Sequence, residues 1–309
     1  MAAWLRLPLC FEALSPIHVG FLPKSRGTVV APTRAYVPGK NLWGAVTASL
    51  VPRLYDAPTP TDFAAIGDDV RKCLAFSYFY LSDGQRIFTP SYKSGSLEWA
   101  GLTDTEFRSR FLDSRLSAEI GETGAAEDGG LHEIEFIRHR IGSPAVGTGR
   151  VFLCGAAWLK TDGTIAGASL LMKDGLLRLR TREADVDLLD GLTIGGERNY
   201  GFGRIQLSDP PNCVKSKLEE IWRSEPVTPM PLNGPLLGHT QYRQDVLFQG
   251  QVEIIASREY PAHRTQSFEA PGSLISMHGH FFTPGTVLRN AHCRATFDSI
   301  GQVLLTQVQ

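Results

Sequence analysis

Chain-breaking residues constrain this sequence more than any other feature. It holds 31 glycines and 19 prolines in 309 residues. About one position in six therefore punctuates the chain, which favours many short strands and turns over long helices. Leu5 to His18 alternates, with Leu5, Leu7, Leu9, Phe11 and Ala13 on one side, and reads as a strand. Val19 to Pro38 reads as a loop. Pro38-Gly39-Lys40-Asn41 reads as a turn in which Asn41 caps a short helix. Leu42, Val46 and Leu50 mark that helix, which is expected to stop before Pro52.

The pattern continues with short elements. Residues 56–70, rich in proline and aspartate, read as a linker. Strands are expected over Leu74–Tyr80 and Arg86–Thr89, joined by the turn Ser82-Asp83-Gly84. A helix is expected over Thr103–Ile120, a mobile stretch over Gly121–Gly130, a strand over His132–Arg140 and irregular chain over Gly142–Gly149. Arg150–Lys160 reads as a strand, Ala184–Leu192 as a helix, Ile194–Leu207 as a glycine cluster feeding a strand, and Lys215–Trp222 as a helix. Pro226–Gly238, with four prolines and two glycines, is the expected domain boundary. Strands over Asp245–Ser257, Gly272–His280 and Gln302–Val308 follow. Strands mixed with few helices, without regular β-α alternation, predict an α+β fold with a mainly antiparallel sheet. The expected domains are 1–225, with an insertion near 56–130, and a β-rich part over 226–309.

Composition narrows the function classes. Apolar residues make up 42% and charged residues 20%, so bulk disorder is excluded. A net charge of −1 excludes a polybasic protein but leaves room for a local basic face. Residues 1–53 carry six Lys/Arg against one acid, Glu12, whereas residues 54–130 carry seven bases against thirteen acids. A basic edge beside an acidic lobe suits phosphate contacts. No apolar run approaches the roughly 18 residues of a membrane span, and Met1–Cys10 lacks a leader pattern. Cys10, Cys73, Cys154, Cys213 and Cys293 are scattered, with no C-x-x-C pair. That usage fits a reducing cytoplasm.

Two segments are candidates for chemistry. Ile194-Gly195-Gly196-Glu197-Arg198-Asn199-Tyr200-Gly201-Phe202-Gly203-Arg204-Ile205 packs four glycines into nine residues. Such a loop lets backbone approach a ligand and aims N–H groups together, while Arg198 and Arg204 suit phosphate. It is not a mononucleotide P-loop, because Phe202-Gly203 stands where Lys-Ser/Thr is needed, and no G-x-G-x-x-G fingerprint is present. Tyr36-Val37-Pro38-Gly39-Lys40-Asn41-Leu42-Trp43-Gly44-Ala45 leads a turn into a helix N-terminus. Phe21, Tyr36 and Trp43 could stack on bases.

Taken with Leu14-Ser15-Pro16-Ile17-His18-Val19-Gly20 and the run from His139-Arg140 to Gly149-Arg150-Val151-Phe152, these segments resemble, in order, the RAMP superfamily of CRISPR-associated proteins. The resemblance covers residues 5–207. It implies one or two RRM-like (ferredoxin-like) domains that bind guide RNA (crRNA) along its backbone. On it, the RNA-binding residues would be His18, Lys24, Arg26, Arg34, Tyr36, Lys40, Asn41, Trp43, His139, Arg140, Gly195, Gly196, Arg198, Asn199, Tyr200, Gly201, Gly203 and Arg204. Filament-forming members of type III complexes usually carry an aspartate after strand one, but Gly20–Gly39 contains no Asp or Glu. The resemblance therefore points to a non-cleaving subunit without cofactor or metal. Its nearest likeness is the Cas five-type cap on the 5′ handle of the crRNA, as in type III-D. Its partners would be crRNA, other CRISPR-associated subunits and, indirectly, target RNA, with no membrane.

Other readings stay open on sequence. A backbone subunit of the same complex is one. A metal-independent processing endoribonuclease is another, with His18 or His139 as base or acid and Tyr36 and Lys40 nearby in sequence. His278-x-His280 with His292-Cys293 would be a metal module, although the spacing fits no standard zinc pattern.

Overall fold

A computed structural model describes residues 4–21, 29–120, 126–143, 147–173, 176–181, 185–222, 226–229, 234–259, 274–289, 293–297 and 303–307. The central sheet is antiparallel. Its strands lie in the order Ile205–Leu207, Trp4–Ala13, Phe152–Lys160, Phe79–Ser82 and Tyr36–Val37, with Leu74–Phe76 also paired to Phe152–Lys160. Numbered along the chain, the four main positions run 4-1-3-2, the order of an RRM-like (ferredoxin-like) sheet. The fold is α+β, as the mixed strand and helix pattern predicts. A four-stranded meander, Thr164–Ile165 to Asp185–Asp187, stands where a second crossover helix would run.

Helices Gly39–Leu54 and Pro60–Cys73 form the first crossover. Two expectations change here. The first helix starts from Pro38 rather than Asn41 and continues through Pro52. A proline in the last turn removes one hydrogen bond near an end that frays anyway. The second helix replaces the expected linker: Pro60 occupies its first turn, and the Asp62 carboxylate accepts from the Thr59 N–H at 2.8 Å. Thr-Pro-x-Asp is a helix-start signal that the proline and aspartate content masked. Because residues 60–82 belong to the sheet unit, the excursion begins only after Ser82.

Within that excursion the helix is confined to Asp104–Phe111. The chain then extends as Leu112–Ile120 and pairs with Ala126–Ile137. Leu112, Ser114 and Leu116 alternate toward one face, and strand pairing overrides the helical spacing that starts at Phe107. Residues 126–130, expected to be mobile, lie in that second strand, while 121–125 lie outside the described residues. Arg140–Ser143 and Gly147–Arg150 pair as a hairpin, so Gly142–Ser143 and Gly147–Gly149, expected to be irregular, are strand. Asp185–Asp187, expected to be helical, is a strand on Leu176–Arg180.

Both faces of the central sheet are covered. One carries Leu9, Phe11, Leu153 and Phe79, and the registers place Arg6, Cys10, Cys154, Trp158, Tyr80 and Tyr36 on the other. Helix Asn212–Ile221 covers this second face: Trp222 meets Trp158 edge-on at 6.3 Å, and Arg6 donates to the Trp222 carbonyl. One core runs from Leu9 to Trp222, and a smaller one joins Leu236, Phe282 and Leu288. Beyond residue 226 the described elements are strands only.

Gly155 sits at a close approach within the central sheet. A Cβ there would lie 2.8 Å from the Phe79 ring and from Ser77 Oγ. Gly155→Ala is expected to lower stability by roughly 1–3 kcal/mol through overpacking, read as a shift in the urea midpoint at unchanged slope.

Candidate nucleic-acid interface

The glycine loop is closed by the chain's own strands. Gly195 has φ +77°, and a Cβ there would meet the His18 carbonyl oxygen at 2.2 Å; Gly203 has φ +88°, and a Cβ would meet the Ile194 carbonyl oxygen at 2.0 Å. The Gly196 N–H donates to the His18 carbonyl (2.9 Å), Gly203 to Pro16 (2.7 Å), Ile194 to Gly203 (2.9 Å) and Arg204 to Ser15 Oγ (3.0 Å). Tyr200 and Gly201 N–H groups close the short 3-10 turn Arg198–Tyr200. Most of the loop's amides are therefore spent internally, a departure from the expected amide cradle. What the loop presents outward is side chains: Arg198, Asn199, Arg204 and Tyr200 are exposed, Tyr200 at 59%. Arg198 Nε donates to the Gly195 carbonyl at 3.1 Å, which ties that side chain back on the loop.

His18 is buried in the wall behind the loop. Its Nδ1 donates to the Glu135 carbonyl at 2.7 Å, which fixes the tautomer, since a carbonyl only accepts. Glu135 in turn accepts from the Thr33 N–H at 2.9 Å and from Arg108. Phe202 packs on Phe136. His139 is half-buried, and burial first, then Arg140, lowers its pKa. Glu133, Glu135 and Asp113 line a cleft of about 230 Å³ with Arg108. Its carboxylates make it a poor path for phosphate.

The registers assemble a feature that spacing alone hides. Arg140 pairs with Arg150. The Ala13 N–H donates to the Val151 carbonyl, and the Leu14 N–H donates to the Arg204 carbonyl, each at 2.9 Å. Continuing both registers one step past Ala13 places Leu14 between Arg150 and Arg204. Arg140, Arg150, Leu14 and Arg204 thus follow one another in a row across four neighbouring chain segments at the strand ends. At about 4.8 Å per strand the row spans roughly 14 Å. All four residues are exposed, Leu14 at 39%. Like charges directly opposite destabilise a strand pair. Here Glu12 offsets Arg150 at 2.8 Å, and Ser15 lies beside Arg204.

The segment after strand one is used differently from the expectation. Arg34, Tyr36, Tyr78, His239 and Glu253 form a buried polar cluster that keys the C-terminal part into the sheet. Arg34 donates to Glu253 at 2.6 Å and to Tyr36 Oη at 3.1 Å. His239 contacts Glu253 through Nε2 and Tyr78 Oη through Nδ1, the latter at 2.7 Å. Burial pushes His239 down to about 4, so the ring is neutral. Burial opposes the Glu253 charge, yet His239 and Arg34 together hold that carboxyl down to about 2. The consistent arrangement has Tyr78 donating to Nδ1, and Nε2–H donating to the carboxylate. Tyr36 is stacked on Tyr78 at 5.7 Å and tilted against Trp99. It is therefore closed to bases. Trp43 binds the two crossover helices together, its Nε1 donating to the Gly67 carbonyl at 2.8 Å. The Asn41 N–H donates to the Pro38 carbonyl. Lys24 and Arg26 lie outside the described residues.

The structure therefore brings Arg140 and Arg204 onto the rim with Arg198, Asn199, Tyr200, Gly196 and Gly201 near it. It places Arg34, Tyr36 and Trp43 in packing roles. Sequence reading undervalued Arg150 and missed Leu14. It had no signal for His239 and Glu253, more than 200 residues from Arg34. In the tail, Ile255 pairs with Gly279 and Ala256 with Met277, which leaves His278 as the extra residue of a bulge. His292 lies outside the described residues, and no metal-holding group of three or more ligands is found among those described. No helix among the described residues is long and apolar enough to cross a membrane.

Removing the Glu253 charge strands Arg34. Glu253→Gln is expected to cost about 3–5 kcal/mol in denaturant unfolding. Lys40 gives a second test. Burial, then Arg34, pushes its ammonium down to about 8 from 10.5, with Glu253 partly offsetting. Between those values the unfolded chain binds a proton the folded one lacks, so stability rises with pH there. Compared with Lys40→Met, the native protein should gain stability from about pH 8 to 10.5, and a flat difference would contradict the burial of Lys40.

No family model matches the chain, and no curated protein does. Among solved structures, a chain of the cryo-EM structure of the Type III-B Cmr-beta complex bound to cognate target RNA shares 9% identity, covering 97% of this chain and 99% of that one, at a TM-score of 0.48. A chain of the same complex bound to cognate target RNA and AMPPnP shares 9% over 91% of this chain and 85% of that one, at 0.49. A chain of its apo state shares 11% over 68% and 98%, at 0.37. At these values the likeness extends no further than the general course of the chain.

Proposed function

We propose that this chain is a non-catalytic RNA-binding subunit of a type III CRISPR effector ribonucleoprotein, and that it caps the 5′ handle of the crRNA. The observation that carries the RNA-binding part is the rim row Arg140–Arg150–Leu14–Arg204. Three exposed arginines on backbone positions spread over roughly 14 Å suit a polyanion track rather than a single small anion. Leu14 supplies an apolar step between them, and Tyr200 projects from the adjacent loop as a stacking surface. The ordered motifs quoted above support the CRISPR assignment.

Phosphates bind along the strand ends in this reading, not on the open sheet face that a typical RRM uses for stacking. That face is filled by Trp222, Trp99 and His239. Two observations support the non-catalytic reading: His18 is buried with Nδ1 committed to a carbonyl, and the sequence of Gly20–Gly39 carries no carboxylate. Contacts with other CRISPR-associated subunits and indirect contact with target RNA complete the proposed role.

Arg150→Ala with Arg204→Ala is expected to weaken binding of labelled repeat RNA. The salt dependence should also flatten, by about 0.7 in log–log slope for each contact removed. Glu12→Gln, which frees Arg150, should tighten binding. Equal affinity and slope in all variants would sink the rim. Specific cleavage of repeat RNA by the purified chain in EDTA would overturn the non-catalytic part.

A further inference from the structure

Cys10 and Cys154 face each other across the two central strands. The Ala13–Val151 pair is hydrogen-bonded, its N–H to carbonyl distance being 2.9 Å. Bonded and non-bonded pairs alternate along an antiparallel ladder, so Cys10–Cys154 is a non-bonded pair. The same parity puts Pro8, which has no N–H to donate, opposite Ala156; the Ala156 N–H points away to Ser77 Oγ. Non-bonded pairs bring their Cα atoms to about 4.5 Å, inside the range a disulfide spans. The two Sγ atoms are already 3.4 Å apart.

We infer that Cys10 and Cys154 are a latent cross-strand disulfide, closed by a low-molecular-weight disulfide such as oxidised glutathione when the covering helix opens. Both thiols are buried. Their face is covered by helix Asn212–Ile221, anchored through Val214, Leu218 and Trp222. The neighbouring Cys10 thiol, then burial, raises the Cys154 pKa, and the burial of both sulfurs keeps a reagent away from them while the protein is closed. On opening, one cysteine loses its proton to solvent and attacks the reagent's sulfur–sulfur bond. One reagent thiolate leaves, and a mixed disulfide remains. The second cysteine, also deprotonated, attacks the protein sulfur of that mixed disulfide, forms the Sγ–Sγ bond and expels the second reagent thiolate. Two cysteines are oxidised by two electrons, and one reagent disulfide becomes two thiols. The bond would cross-link residues 144 apart and constrain the unfolded chain strongly.

The test treats the full chain with oxidised glutathione in sub-denaturing urea, then quenches with an alkylating agent and maps peptides by mass spectrometry. The expected product is a Cys10–Cys154 cross-linked peptide, lighter by two hydrogens. The melting temperature should rise by roughly 5 °C or more, reversed by reduction. Cys213→Ser, which removes an exposed thiol, should leave the rise intact, and Cys10→Ala should abolish it. Recovery of Cys10 and Cys154 as alkylated thiols while Cys213 carries glutathione would overturn the inference. So would a cross-link that lowers the melting temperature.

Discussion

Everything at the rim follows from the pairing of one strand on both of its edges. Trp4–Ala13 meets Phe152–Lys160 along its length and Ile205–Leu207 at its end. Those two registers decide which residues stand beside Leu14, and they bring together arginines from positions 140, 150 and 204. A slip of one residue on either side would turn one of them to the opposite face. Gly195 and Gly203 make the second register possible, since each lets loop backbone lie against a carbonyl that a side chain would strike.

The buried charges explain why Arg34 and Lys40, part of the basic edge in the sequence, do not form an open basic surface in space. Arg34 is committed to Glu253, and Lys40 is half-buried beside it with its proton weakened. A charge taken out of water is tolerated only with a partner and full hydrogen bonding. The cluster therefore acts as a key between the two parts of the chain. Aromatic rings follow the same logic: Tyr36 and Tyr78 close around His239, Trp99 packs on Tyr36, and little of that face is left for a ligand.

Local signals were legible where local rules decide. The first strand, the short helix before Trp222, the glycine loop with its following strand and the α+β class all follow from periodicity and punctuation. The reading failed where distant pairing overrode local preference, as at Leu112–Ile120. It also failed where a capping signal was hidden in a proline-rich stretch, as at Thr59–Asp62. At the candidate site, Arg140 and Arg204 were visible as charges in glycine-rich surroundings. Their alignment was not, because it depends on the Ala13–Val151 and Leu14–Arg204 hydrogen bonds, between segments far apart in sequence. His239 and Glu253 carry no motif at all; only the fold brings them to Arg34.

Ultraviolet cross-linking of thiouridine-substituted repeat RNA, mapped by mass spectrometry on the intact chain, tests the rim most directly. Attachment sites should fall on peptides containing Leu14, Arg150 and Tyr200, and should fade as salt rises. Cross-links concentrated on Tyr36, Tyr78 or Trp99, with the rim peptides unmodified, would contradict a nucleic-acid path along the strand ends.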